Sequence, residues 1–306
     1  MRDALRLSEG MTWKSAVAGL PLGGGKGVIV VRPDEPLTGA RRRDALLDFG
    51  DTVAALDGAY VTAEDVGTDT SDMTVIAERT PHVAGMAVDR GGSGDPSPST
   101  ARGVLRAIEA ALEHTTGNPS PQGRRVAVVG LGHVGLPLAR GLAAAGAELL
   151  VADISPARRA DAEALGARWL PVAEAMVAPV DVLCPCALGG VLDHESVPAL
   201  QAPIVAGAAN NQLAGDEVAA LLGEHGVLWA PDFVANAGGI INISVELGAD
   251  GYDPARARKL VDGIGDVMRA VLQDAASAGT TTLAAAMALA RRRVAEVGAE
   301  PRERSG

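Results

Sequence analysis

Two lysines and an aspartate in the first quarter of the chain have the types and surroundings that acid–base chemistry needs. Lys26 follows three glycines in the run Gly23-Gly24-Gly25-Lys26-Gly27. With no Cβ in the way, such a backbone can approach a ligand closely. A lysine held there, partly out of water and near another cation, gives up its proton more readily and can act as a general base. The run is not a phosphate-binding P-loop, because the four-residue spacer and the Ser or Thr after the lysine are absent. Lys14 is the one charge in the stretch Met11 to Leu22, which suits an anchor for a substrate carboxylate. Asp65 follows the extended run Tyr60-Val61-Thr62 and can shuttle a proton. The plainer readings are a solvated loop lysine and a helix-capping aspartate.

A second constellation lies further along. Val126-Ala127-Val128-Val129 reads as an apolar strand, and Gly130-Leu131-Gly132-His133-Val134-Gly135 follows it directly and opens a helix. This is G-x-G-x-x-G in the strand–turn–helix setting that gives it meaning. Gly130 makes the tight turn, Gly132 lets a pyrophosphate reach the backbone, and Gly135 lets helix and strand pack closely. His133 and Val134 lie at the helix N-terminus, whose unpaired N–H groups face the phosphates. Asp153 ends the next strand, where a carboxylate binds both ribose hydroxyls and repels a 2′-phosphate. The expected cofactor is therefore NAD rather than NADP. Arg158 and Arg159 stand close enough to soften that preference. A Rossmann unit that holds adenosylmethionine or a nucleotide sugar is the rival reading of the same run.

Uncharged amides complete the list. Asn210, Asn211 and Gln212 follow the strand Ile204 to Ala206, and Asn236 precedes Gly238-Gly239 and an Ile-rich helix. Amides at the carboxyl edge of a parallel sheet suit hydrogen bonds to a carboxamide or an amine. Cys184 and Cys186 flank Pro185 at the same edge; packing fits them better than nucleophilic chemistry. Without histidine partners or ligand spacing they predict no metal site.

The elements that must position these residues fall into two patterns. Before the Gly/Ser/Pro-rich turn Gly91 to Pro98, the chain reads as a helix ending at Gly10, a strand Val28 to Val31, a helix Arg41 to Leu56, a strand Tyr60 to Thr62 and a short helix Asp69 to Arg79. After a helix Thr100 to His114, strands and helices alternate, which implies a parallel sheet covered on both faces. Helices Arg256 to Ala275 and Leu283 to Val297 follow, and the last residues, Pro301 to Gly306, are expected to fray. The predicted fold is α/β, a Rossmann-type NAD-binding domain (96–275) with a smaller α/β substrate domain (1–95) and a C-terminal helix (276–306) returning toward it.

Composition bounds the function. The 306 residues carry a formal net charge of −11, which argues against nucleic acid as a partner. Hydrophobic residues make up 47% but aromatics only 2%, so the core must be built from Ala, Val, Leu and Ile. No apolar run is long enough to span a bilayer and no signal-peptide pattern opens the chain. No membrane partner is expected, and the cytoplasm is the expected location.

Seven stretches together resemble the Glu/Leu/Phe/Val amino-acid dehydrogenase family, with the leucine and valine branch nearest. They are GMTWKSAVAGLPLGGGKGVI, VTAEDVGTDTSDM, GGSGDPSPSTARGV, VAVVGLGHVG, CPCALGG, GAANNQL and APDFVANAGGIIN, spanning residues 10 to 243. The resemblance implies NAD-dependent oxidative deamination of branched-chain L-amino acids to 2-oxo acids and ammonia. It implies that Lys14 binds the substrate α-carboxylate, Lys26 activates the attacking water and Asp65 exchanges protons with the amine. Asn211 would contact the nicotinamide side of the cofactor and Asn236 would lie near the substrate. Ala63, Ile240 and Ile243 would line the side-chain pocket. It further implies a homo-oligomer at full length, and a substrate domain incomplete at its N-terminus. A phenylalanine-specific relative and an inactive dinucleotide-binding relative are the alternatives.

Overall fold

Strand formation begins where the sequence turns continuously apolar. Val126, Ala127 and Val128 have no exposed surface, as befits a parallel strand covered on both faces. The computed structural model describes residues 2–32, 34–65 and 67–299. Three helices come first: α1 (Arg2–Val17), α2 (Gly39–Ala54) and α3 (Thr70–Ile76). α4 (Ser97–Thr116) leads into an alternating run: β1 (Arg125–Val129), α5 (Gly135–Ala144), β2 (Glu148–Ala152), α6 (Arg159–Ala164), β3 (Arg168–Trp169), α7 (Val172–Met176) and β4 (Val182–Pro185). β5 (Ile204–Val205), α8 (Val218–Glu224) and β6 (Leu228–Trp229) complete the sheet. The chain then continues through α9 (Asp232–Ala235), α10 (Gly238–Glu246), α11 (Pro254–Asp262), α12 (Ile264–Ala278) and α13 (Thr282–Ala299).

The sheet runs β3-β2-β1-β4-β5-β6, with every pairing parallel. This is the doubly wound dinucleotide-binding order, in which the direction of winding reverses between β1 and β4. The crevice outside that reversal is where the glycine run, the Cys186–Gly190 loop and the Asn210–Gln212 loop converge. One apolar core lies under α4, α5, α12 and α13 and a second on the opposite face of the sheet. A smaller core of Leu46, Met73, Ile76 and Val83 holds the N-terminal part together. The whole is a two-domain α/β architecture with a Rossmann-type NAD-binding fold and a smaller substrate-binding part.

Several expected elements differ. α1 does not end at Gly10 but continues to Val17. A mid-helix glycine costs about 1 kcal/mol, and the next turns offset that by burying Ala16 and Val17 in the main core, with Trp13 beside them. Val28 to Val31 is extended but forms no strand. Ile29 packs on the small core while Val28, Val30 and Val31 are exposed, and no described residue supplies the ladder partner a strand needs. Tyr60 to Thr62 is reduced to a single parallel bridge, Thr62 to Val83. The long helix expected over Arg256 to Ala275 is two, broken at Gly263. Pro301 to Gly306 lies outside the described residues.

Candidate active site

The glycine run around Lys26 is shaped by packing. A Cβ on Gly24 would stand 2.0 Å from the Ser8 carbonyl oxygen of α1, one on Gly25 2.6 Å from the Tyr60 ring, and one on Gly27 2.5 Å from Phe49. These positions must therefore be glycine for the loop to pack on α1, Tyr60 and Phe49. Hydrogen bonds fix the loop further: Ser8 Oγ donates to Gly24 O (2.9 Å) and the Gly27 N–H donates to Tyr60 Oη (3.0 Å). The loop delivers Lys26 Nζ into direct contact with Asp65 Oδ2, with the two side chains 21% and 53% exposed. Asp65 is not a helix cap. That role belongs to Asp69, which forms a reciprocal capping box with Asp72 at the start of α3.

Lys14 lies on the last turn of α1, whose end is held from α13. Arg293 Nη1 donates to Ala16 O at 3.1 Å, which also accepts from the Gly19 N–H, and to Val17 O, supplying a side-chain donor to the carbonyls of a helix end. Lys14 Nζ donates to Asn210 Oδ1 at 2.9 Å. The same oxygen accepts from Asn236 Nδ2 at 2.9 Å, and that nitrogen also donates to Ala208 O at 3.1 Å. The lysine of the N-terminal part is thus joined to the carboxyl edge of the sheet. Asn236 Oδ1 is buried and accepts no hydrogen bond. Desolvation, chiefly, lowers Lys14 to about 8; the Lys26 charge pushes the same way and Asp232 opposes.

Asp232 is buried, and burial holds its carboxyl above the usual range, against the backbone N–H of Gln212 and the Lys14 charge. Gln212 is itself fully enclosed, donating to Gly207 O and Ala209 O and accepting from Trp229 Nε1. This network keeps the Asn210–Gln212 loop rigid at the sheet edge. Asn211 sits there exposed, in the left-handed region at φ 52°, a conformation asparagine tolerates better than most residues.

The glycine fingerprint is built as its sequence implies. Gly130 has φ 105°, and a Cβ on Gly135 would lie 1.8 Å from Gly130 O. A Cβ on Gly132 would meet nothing within 4 Å, so its backbone is open on the side where a pyrophosphate would sit. Val134 caps α5. Asp153 Oδ2 accepts from Leu131 N at 2.7 Å and Oδ1 from Ser155 N at 2.8 Å. A carboxylate has about four acceptor positions, which leaves room for ribose hydroxyls. The cradle therefore fits a dinucleotide. Glu64, between Ala63 and Asp65, is pushed up by burial and then by Asp95 and Asp69, while His133 pulls it down.

Ile240 and Ile243 lie three residues apart on α10, both half-buried, while Ile241 and Asn242 turn fully inward. The helix starts hard against α4, since a Cβ on Gly238 would lie 2.1 Å from Ser99 O. Lys14, Asn210 and Asn236 are thus joined by hydrogen bonds at the carboxyl edge of the sheet, Lys26 touches Asp65, and the Lys26 charge acts on Lys14. Sequence reasoning gave no role to Asp232, Arg293, Ser93 or Glu246. A lone acid just after the buried strand β6 was the one local signal for Asp232.

The fold and the crevice narrow the class to a dinucleotide-dependent oxidoreductase with acid–base groups on its N-terminal side. The family model described as Glutamate/Leucine/Phenylalanine/Valine dehydrogenase matches residues 156–300, and that of the Glu/Leu/Phe/Val dehydrogenase dimerisation domain matches residues 1–82. The leucine dehydrogenase of Bacillus cereus is 41% identical over 298 residues, covering 97% of this chain and 80% of that protein. The valine dehydrogenase of Streptomyces virginiae is 41% identical over 298 residues, covering 96% and 82%. The crystal structure of L-tryptophan dehydrogenase from Nostoc punctiforme superposes with a TM-score of 0.83 at 38% identity, covering 98% of this chain and 84% of that one. The chain belongs to the Glu/Leu/Phe/Val dehydrogenase family, and is an NAD-dependent oxidoreductase acting on the CH–NH2 group of an amino acid. The expected leucine and valine branch is not singled out, because a tryptophan enzyme matches to a similar degree.

Among the described residues no helix is long and apolar enough to cross a membrane.

Proposed function

We propose that this chain oxidatively deaminates branched-chain L-amino acids, leucine, valine and isoleucine, to their 2-oxo acids and ammonia, reversibly. The observation that carries the substrate class is the half-buried face of α10 bearing Ile240 and Ile243, with the small Ala63 as the third lining residue. Such walls reward burial of an aliphatic side chain and offer no cation to a second carboxylate. In this reading residues 1–95 form the substrate domain, 96–275 the NAD-binding domain and 276–306 a returning C-terminal segment. The protein works in the cytoplasm as a homo-oligomer.

Lys14 holds the substrate α-carboxylate by a charge-assisted hydrogen bond. Asn236 Oδ1, buried and without a donor, receives an N–H of the substrate amine. When bound, NAD supplies the acceptor for the hydride that leaves Cα, with its pyrophosphate on Gly130, Gly132, His133, Val134 and Gly135, its adenosine ribose on Asp153 and its nicotinamide side near Asn211. Lys26 takes a proton from the water that adds to the oxidised carbon. Asp65, touching Lys26, protonates the amine as it departs. The adjacency of these two groups lets the proton lost by water reach the leaving nitrogen without crossing solvent.

Steady-state kcat/KM for leucine, valine, isoleucine, phenylalanine, tryptophan and glutamate tests the substrate class. Leucine, valine and isoleucine should exceed the aromatics. Glutamate should trail by at least about a hundredfold, because burying its second carboxylate unpaired costs several kcal/mol. Tryptophan, phenylalanine or glutamate ranking first would end the branched-chain reading.

Cofactor choice provides a separate check. Asp153, held by two backbone N–H groups, should repel a 2′-phosphate, so NAD should be used at least about tenfold better than NADP. The variant Asp153→Ser should narrow that ratio. Equal efficiency with both cofactors in the parent would remove Asp153 from the role.

A further inference from the structure

Glu246, the last residue of α10, reaches out of the sheet domain into the loop 85–93. Its Oε2 accepts from Gly85 N (2.9 Å), Ser93 N (2.9 Å) and Ser93 Oγ (2.6 Å), and its Oε1 from Met86 N (3.3 Å). Asn242, one turn earlier, donates from Nδ2 to Ser93 O at 3.3 Å and is held by Tyr252 Oη at 2.8 Å. Ser93 is therefore bound through its amide, its hydroxyl and its carbonyl to groups about 150 residues away. The Gly/Ser/Pro-rich turn that begins at Gly91 reads in sequence as a domain boundary, and here it is pinned from across that boundary.

The loop's other end fixes what the pinning controls. Residues 85–93 follow the Thr62–Val83 bridge, and a Cβ on Gly85 would lie 3.8 Å from Glu64 N. The loop thus packs on the segment Ala63-Glu64-Asp65. On the helix side, Ile243 is three residues before Glu246 and shares its face. A single carboxylate therefore ties the helix carrying Ile240 and Ile243 to a loop whose Gly85 lies against Glu64, in the segment carrying Ala63 and Asp65.

We propose that Glu246 is a positioning residue, a latch that sets the separation of the two walls of the substrate side-chain pocket and so tunes which amino acid the site prefers. The inference rests on the assignment of Ala63, Ile240 and Ile243 as those walls. The chemistry of the latch requires a carboxylate. All its partners are donors, and only an ionised acid offers acceptors alone. Glutamine has the same volume but turns an NH2 toward at least one backbone N–H.

The test is Glu246→Gln, with Ser93→Ala as a milder cut of the same latch. Glu246→Gln should bind NAD within about twofold of the parent. Its KM for the preferred amino acid should rise about fivefold or more, an effect of the order of one lost hydrogen bond. The ratio of kcat/KM for leucine to that for phenylalanine should shift as much, and Ser93→Ala should move both the same way by less. A purely structural contact would lower the melting temperature and leave that ratio alone. A ratio and KM within twofold of the parent, read well below both melting temperatures, would overturn the latch. If Glu246→Gln does not fold, the same limits on Ser93→Ala decide. If the parent turns over no amino acid, the functional reading falls and the latch is read by amide exchange at Gly85, Met86 and Ser93. Faster exchange in Ser93→Ala than in the parent, with weaker binding of a 2-oxo acid to the NADH-loaded protein, supports it; unchanged exchange and binding refute it.

Discussion

Replacing Lys26 by alanine should lower kcat at least about a hundredfold, the lower range for losing a general base, while leaving NAD affinity unchanged. The two halves of this expectation come from different parts of the molecule. Lys26 is delivered by a loop packed on α1, Tyr60 and Phe49, and its amine touches Asp65. None of the residues around the glycine fingerprint, Gly130 to Gly135, depends on it. Lys26→Arg keeps the positive charge beside Asp65 but cannot give up a proton at working pH, so it should be nearly as slow as alanine. A result in which arginine restores turnover would make Lys26 an electrostatic partner of Asp65 and not a base. Turnover of Lys26→Ala within threefold of the parent would remove it from the chemistry altogether. Stopped-flow measurement of the first turnover separates the chemical steps from product release.

Lys14→Ala should act on binding, raising KM for the amino acid roughly tenfold to a hundredfold, the value of a hydrogen bond to a charged group, with a smaller change in kcat. The pH dependence makes this prediction specific. Burial lowers Lys14 to about 8, so the free site carries its cation below that pH and loses it above. A bound carboxylate favours the charged form. Inhibition by a 2-oxo acid, whose own carboxylate does not titrate in this range, should therefore be constant below pH 7.5 or so and weaken by up to about tenfold per unit above pH 8. In Lys14→Ala the affinity should be lower and flat across the same range. Folding stability moves the other way. The folded chain binds this proton less tightly than the unfolded one, so between about 8 and 10.5 the burial penalty on the charged lysine is relieved and stability from this group rises with pH. A parent inhibition profile flat to pH 9.5 would contradict the placement of Lys14 against the carboxylate.

The nucleotide half of this site was legible because its signals are local. Strand, glycine turn, helix and terminal acid lie within the single stretch from Val126 to Asp153, and the close packing expected of Gly135 is met there, against Gly130 O. Lys14, Lys26 and Asp65 were legible as types, and the fold brings Lys26 to Asp65 and Lys14 within reach of Lys26's charge. What the sequence does not show is why the positions beside Lys26 must be glycine, since the atoms that forbid a Cβ belong to Ser8, Thr12, Tyr60 and Phe49. Residues whose meaning lies wholly in distant partners stayed silent. Arg293 finds the end of α1 across 277 positions and Glu246 finds Gly85 across 161. An acid at a helix C-terminus and an arginine in a run of three are unremarkable until the fold closes around them. The stretch Val28 to Val31 is a related case: an apolar run suits an extended segment, but a strand also needs a neighbour.

The central question is whether this chain couples amino-acid oxidation to NAD. The direct measurement is a product balance: purified protein with NAD and leucine, following NADH, the 2-oxo acid and ammonia together. The predicted result is one of each formed per leucine consumed, with steady-state NADH formation at least about a hundredfold slower when Lys26→Ala replaces the parent at the same concentration. The contradicting result is NAD that binds, shown by quenching or calorimetry, yet is not reduced in the presence of leucine, valine, isoleucine, phenylalanine, tryptophan or glutamate.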